Sequence, residues 1–175
     1  SGGTQNEIYE VRRGDVHAAL RIPPPEAPAP RDDGIVREWR IIEALGGTDV
    51  PVARMYAYCG DKDVIGAEFY IMERIDGVPY RYADELRALG EERTRAISTE
   101  LVRTLAKLHS VDPAEAGLAN FGRPEGFLNR QVKRWKSQLD ASFTRELPGA
   151  NELYEKLVAA VPAVSASGIV HGDFR

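Results

Sequence analysis

The hydrophobic pattern of this chain changes period once, and that change limits what it can fold into. Up to Gly77 the apolar residues fall in short β-prone runs around one helical stretch; from Glu91 they recur at helical spacing over long segments. Ile8, Tyr9 and Val11 read as one strand, Arg13-Gly14-Asp15 as a turn, and Val16 to Ile22 as the returning strand. Pro23-Pro24-Pro25 ends it, because proline has no donor for a ladder. Ile35, Trp39, Ile42 and Leu45 predict a helix stopped by Gly46-Gly47. Val50 to Tyr58 and Phe69 to Met72 predict two more strands, with a turn at Asp76-Gly77. Beyond Glu91, three sets predict long helices: Ile97, Leu101, Leu105 and Leu108; Leu128, Val132, Trp135 and Leu139; and Leu153, Leu157 and Val161. Arg130, Lys133, Arg134 and Lys136 solvate the flanks of the second. Ile169-Val170 then predicts a short strand leading into His171-Gly172-Asp173-Phe174-Arg175. The order implies an α+β fold: a first lobe over 1–77, a linker over 78–90, and a mainly helical lobe over 91–175.

Composition narrows the function classes. At 175 residues, 43% apolar and 29% charged, the chain has a globular profile. A net charge of −4 offers no basic excess for nucleic acid or an anionic membrane. No apolar run approaches the ~18 residues that span a bilayer. Cys59, the single cysteine, excludes an intrachain disulfide. The start at Ser1 has no signal-peptide layout, so the expectation is a cytoplasmic protein. Oligomeric state leaves no mark in the sequence.

The residues that can carry chemistry are individually weak. Gly2-Gly3-Thr4-Gln5-Asn6 reads as a flexible terminus or as a loop whose glycines let backbone N–H groups approach phosphate oxygens. Arg21 alone reads as a solvent-facing strand residue, and Glu38 alone as a helix-surface carboxylate. Together they make a strand cation and a helix carboxylate, the pairing with which kinases place a cation on nucleotide phosphates. Met72 to Gly77 reads as a strand end and turn, or as a hinge whose backbone reads an adenine edge. His171-Gly172-Asp173 reads as a simple turn, or as a strand end delivering an aspartate that accepts a hydroxyl's proton. His17 reads as a strand-surface residue, His109 as a helix-end capping or packing residue, and Trp39 and Trp135 as core anchors. His17, His109 and Cys59 have no metal-ligand spacing.

Taken in order, these pieces resemble the aminoglycoside phosphotransferase superfamily of small-molecule kinases. The resemblance runs from Gly2–Asn6 through Ala19–Pro24, Arg37–Arg40, Val50–Arg54, Ile65–Glu73 and Leu105–His109 to Val170–Asp173. Asn120–Phe127, with Gln131 and Trp135, looks closest to the branch that includes kinase domains fused to acyl-CoA dehydrogenases. The resemblance implies a protein-kinase-like bilobal fold with ATP between the lobes. Gly3, Thr4, Gln5 and Asn6 would cover the phosphates, Arg21 would contact them and Glu38 would orient Arg21. Glu73 and Ile75 would offer backbone groups to adenine, and Asp173 would be the catalytic base. Many relatives carry lysine at the Arg21 position; arginine keeps the charge but changes the donor geometry. Gly172 stands where protein kinases carry arginine, which favours a small-molecule hydroxyl acceptor, an aminoglycoside or a hydroxyacyl-CoA. The resemblance also implies Mg²⁺, held by an asparagine five positions after Asp173 and by an acidic residue further on. Both ligands are expected beyond Arg175, so no metal ligand is assigned within these 175 residues, and the chain is expected to be a fragment lacking turnover. The alternative is a nucleotide-binding module without catalysis; a fold-only interaction domain is a third.

Overall fold

The computed structural model describes residues 7–23, 34–164 and 166–174. Four strands, β1 (Glu7–Arg13), β2 (Val16–Ile22), β3 (Met55–Cys59) and β4 (Phe69–Glu73), form an antiparallel sheet in the order β1-β2-β4-β3. The hairpin between β1 and β2 turns at Gly14, whose φ of 56° lies in the left-handed region that glycine enters without a Cβ clash. β2 is paired on both sides, to β1 and to β4. Helix α1 (Gly34–Leu45) follows it and packs on β3 and β4, burying Ile35 and Leu45. The predicted strand from Val50 starts late, at Met55. Pro51 cannot donate to a ladder, and residues 51–54 have no regular structure. The register of β3 on β4 then slips between Met55 and Ala57.

The segment 78–90, predicted as a linker, carries a short helix, α2 (Ala83–Ala88). The Glu85 carboxylate reaches back to accept from the backbone N–H groups of Tyr82 at 2.9 Å and Arg81 at 2.6 Å. Those two bonds hold its carboxyl below the ordinary carboxylate range. Helix α3 (Glu91–Ser110) follows directly. Its predicted face becomes more buried toward the C-terminus, from Leu101, 40% exposed, to Leu108, 5% exposed.

The chain forms two compact units. The first joins the described residues up to Leu118 with 169–174, and the second is 119–168. Among the described residues, every buried apolar side chain belongs to the first: Ala18, Ala19, Ile35, Leu45, Val50, Tyr70, Leu108, Leu118 and Ile169. Ala18 and Ala19 are neighbours pointing to opposite faces, so the sheet is covered on both sides where β2 crosses it. The second unit packs α4 (Phe127–Ser142) against α5 (Ala150–Ala159). Lys136 pairs with Asp140 at 2.5 Å and lies 5.7 Å from the Tyr154 ring centre. Trp135, predicted as a core anchor, is instead 67% exposed. Helical periodicity marks an apolar stripe but does not supply the element that covers it. The predicted strand at Ile169-Val170 does not form either: Ile169 is buried and Val170 exposed, but no ladder joins them. An isolated β-prone run without a neighbour has nothing to pair with.

Leu108→Ala removes most of a buried side chain at the point where α3 is best enclosed. It is expected to lower unfolding free energy by about 2–5 kcal/mol, whereas Leu101→Ala costs clearly less. Urea denaturation of the two variants side by side checks this, and equal losses would contradict it.

Candidate functional site

Strand register puts four side chains in one row on one face of the sheet. Ile8 of β1 lies opposite Arg21 of β2, Arg21 opposite Tyr70 of β4, and Tyr70 opposite Tyr58 of β3. Helix α1 covers this face with two consecutive residues. Trp39 sets its ring beside Tyr58, centroids 6.1 Å apart, and Tyr70, 6.2 Å apart. The two oxygens of the Glu38 carboxylate reach different strands. Its Oε1 accepts from Arg21 Nη2 at 2.9 Å, and its Oε2 accepts from the Tyr70 hydroxyl at 3.2 Å. The predicted Arg21–Glu38 pair is therefore formed, with Arg21 turned under the helix rather than to solvent.

Arg21 and Glu38 remain 26% and 36% exposed, so the pair adds only about 1 kcal/mol or less to stability. Its larger effect is to fix where the guanidinium sits. Arg21 Nε is shielded from solvent and has no hydrogen-bond partner among the described residues. A buried donor left unmade costs about 1–3 kcal/mol, which a ligand oxygen can recover. That orphan N–H is the feature that fits a phosphate. Tyr70 is fully buried. Burial is the chief cause that raises its hydroxyl above the ordinary tyrosine range; the Glu38 charge adds to the rise and Arg21 opposes it.

Glu73 closes the sheet at the end of β4. Its N–H donates to the Arg54 carbonyl at 2.7 Å and its carboxylate accepts the Arg54 N–H at 3.1 Å. Its amide is thus committed to the fold. Ile75 lies beyond the sheet, 66% exposed, in a segment without regular structure. Arg74 ties that segment back to β1 through Glu10 at 3.8 Å and also pairs with Asp76. His17 lies on the hairpin surface as predicted, on the Glu10 carboxylate together with Arg12. Exposed His109 occupies the last turn of α3. Cys59 is a free thiol whose Sγ lies 3.7 Å from the Asp61 carbonyl.

Asp173 is exposed and belongs to the same compact unit as the sheet. It is delivered by a turn rather than by a strand end. Gly172 has φ +84°, a conformation that strains any side chain, although the space around it is open. The Asp173 N–H donates to His171 Nδ1 at 3.2 Å, and the His171 ring meets Phe174 edge-on at 5.2 Å. Gly3, Thr4, Gln5 and Asn6 at one end, and Arg175 at the other, lie outside the described residues. The phosphate-covering loop and the metal ligands expected beyond Arg175 are therefore no part of the geometry described. Among the described residues, no three His, Cys, Asp or Glu side chains gather to hold a metal ion. No helix among them is long and apolar enough to cross a membrane. The residue the sequence reading missed is Tyr70. The signal lay in strand alternation, which sets Tyr70 and Met72 on one face of β4; which face Arg21 occupies became known only with the register.

Residues 1–175 match the family model described as "Phosphotransferase enzyme family". Mouse acyl-CoA dehydrogenase family member 10 is 35% identical over 173 residues, 99% of this chain and 16% of that protein. Chicken acyl-CoA dehydrogenase family member 11 is 35% identical over 176 residues, 100% of this chain and 22% of that protein. The crystal structure of a "putative aminoglycoside phosphotransferase" from Ralstonia eutropha superposes with a TM-score of 0.85 at 34% identity, over 99% of this chain and 51% of that one. The chain thus spans about a fifth of the curated relatives and about half of the solved structure.

Unfolded chains ionise tyrosine near 10.0, whereas folded Tyr70 holds its proton higher. Stability from this group is therefore complete below the ordinary tyrosine pKa and falls as pH rises above it. Urea unfolding between about pH 9 and about pH 11 is expected to lose more stability in the native chain than in Tyr70→Phe. Parallel losses would contradict the assignment.

Proposed function

Since the chain belongs to the phosphotransferase enzyme family and carries its α+β kinase-like fold, we propose that it is the ATP-binding fragment, with the catalytic base, of a phosphotransferase that moves the γ-phosphoryl group to a hydroxyl of a small molecule. The observation that carries this reading is the Arg21–Glu38 pair with its unpartnered Arg21 Nε. It is a cation fixed by a helix carboxylate with a donor left for an anion. In this reading Arg21 holds phosphate oxygens and Glu38 positions Arg21. Gly3, Thr4, Gln5 and Asn6 cover the phosphates. The adenine edge is read by the carbonyl of Glu73, whose N–H is already used, and by the backbone of Ile75. Asp173 takes the proton of the acceptor hydroxyl as that oxygen attacks the γ-phosphorus; the bond from phosphorus to the bridging oxygen breaks and ADP leaves. Magnesium, which would neutralise phosphate charge, finds no ligand cluster among the described residues.

Two acceptor classes are in view. The names of the acyl-CoA dehydrogenase relatives favour a hydroxyacyl-CoA, and that of the solved relative favours an aminoglycoside. Gly172 supports a small molecule in either case, and a cytoplasmic setting suits both.

ATP with magnesium at ~100 times its Kd is expected to add about 2.7 kcal/mol to stability, and Arg21→Ala to remove most of that gain. Asp173→Asn is expected to keep the nucleotide-dependent stabilisation and, in a longer protein that carries the metal ligands expected beyond Arg175, to abolish transfer of labelled phosphate to a hydroxyacyl-CoA or an aminoglycoside. Stabilisation without product in a longer protein that also carries the asparagine and acidic residue expected beyond Arg175 would instead identify a nucleotide-binding module without turnover. No stabilisation by ATP would overturn both and leave a fold used for interaction.

A further inference from the structure

A carboxylate and a guanidinium fit each other two-to-two, with parallel N–H···O bonds filling both oxygens. Arg21 and Glu38 share a single such bond, donated by Nη2 to Oε1. The second oxygen, Oε2, accepts from Tyr70 instead. The Arg21 Nε, a donor that such a fork would use, stays buried without a partner among the described residues. Three observations on one ion pair thus fit together: a hydroxyl on one carboxylate oxygen, a guanidinium nitrogen on the other, and a guanidinium donor left over.

We propose that Tyr70 is a positioning residue for phosphate binding, holding Glu38 to a single contact with Arg21 and thereby reserving Arg21 Nε for a ligand oxygen. The inference rests on the reading of Arg21 as the phosphate cation. Tyr70 suits the task because it cannot easily move. It is fully buried, strand-paired opposite Arg21 and Tyr58, and flanked by the Trp39 ring. Its hydroxyl remains a donor throughout the neutral range, since burial disfavours the phenolate. Nε itself is shielded, while the guanidinium as a whole, in a side chain 26% exposed, stays within reach of a ligand. Arginine is also what makes the device workable. A lysine ammonium would offer one nitrogen for both the carboxylate and the phosphate, whereas arginine places the two duties on different nitrogens.

Without the Tyr70 hydroxyl, Glu38 Oε2 loses this donor and can turn onto Arg21 Nε, closing the fork. The test compares the native chain with Tyr70→Phe, titrated calorimetrically with ATP, tripolyphosphate and adenosine. The variant is expected to bind ATP and tripolyphosphate about tenfold more weakly, the effect of one charge-assisted hydrogen bond, with adenosine unchanged. A purely structural role would weaken all three alike, and that outcome, or unchanged ATP affinity, overturns the proposal. If Tyr70→Phe does not fold, the native chain still decides. Its Arg21 Nε–H resonance, assigned by its loss in Arg21→Lys, is expected to move with tripolyphosphate and not with adenosine. A resonance unmoved by tripolyphosphate that nevertheless binds overturns the role of Nε alone. A native chain that binds neither ATP nor tripolyphosphate overturns the phosphate-binding reading itself, and this inference with it.

Discussion

The Glu38 carboxylate joins helix to sheet, and the candidate site depends on that junction. It is the point where α1, β2 and β4 share a polar contact on a face otherwise packed by Trp39, Tyr58 and Tyr70. An exposed ion pair contributes little to folding. Here the pair is seated on a buried tyrosine and against aromatic rings, so its geometry is set by packing while its charge stays within reach of a ligand. The aromatic cluster supplies the rigidity and the charges supply the chemistry.

Around that junction the sheet is organised to carry Arg21. β2 is paired on both edges, and the small buried residues Ala18 and Ala19 allow cover to approach from either face. Past Ala19 the alternation delivers Arg21 to the side of α1. Glu73, at the other end of the β2–β4 ladder, commits its amide and its carboxylate to Arg54, so that the strand stops there and the exposed segment through Ile75 begins. The cation and the strand end proposed to meet opposite ends of one nucleotide therefore belong to the same pair of strands. Asp173 reaches the first compact unit by a different route, along a segment anchored by buried Ile169 and turned by Gly172.

Much of this was legible in the sequence because it depends on local rules. The hairpin follows from alternation and a glycine turn, α1 from helical periodicity with Gly46-Gly47 after it, and the Arg21–Glu38 pair from motif order. The parts that were not legible depend on partners. Tyr70 takes its meaning from lying opposite Arg21 and beneath Glu38, which no residue spacing reveals. Trp135 has the periodicity of a core residue and lies exposed, because a stripe does not name its cover. Ile169-Val170 has strand composition without a neighbouring strand. Helix α2 did leave a signal, Glu85 three residues after Tyr82 with Asp84 beside it, but Pro79 and the tyrosines around it read as linker.

The central claim is that Arg21, held by Glu38, receives the phosphates of a nucleotide. The most direct measurement is a crystal structure of this chain with a non-hydrolysable ATP analogue. The expected result is a phosphate oxygen within hydrogen-bond distance of Arg21 Nε, with Glu38 still bound through Arg21 Nη2 and Tyr70. A triphosphate bound elsewhere, or one that leaves Arg21 Nε without a partner, would contradict it.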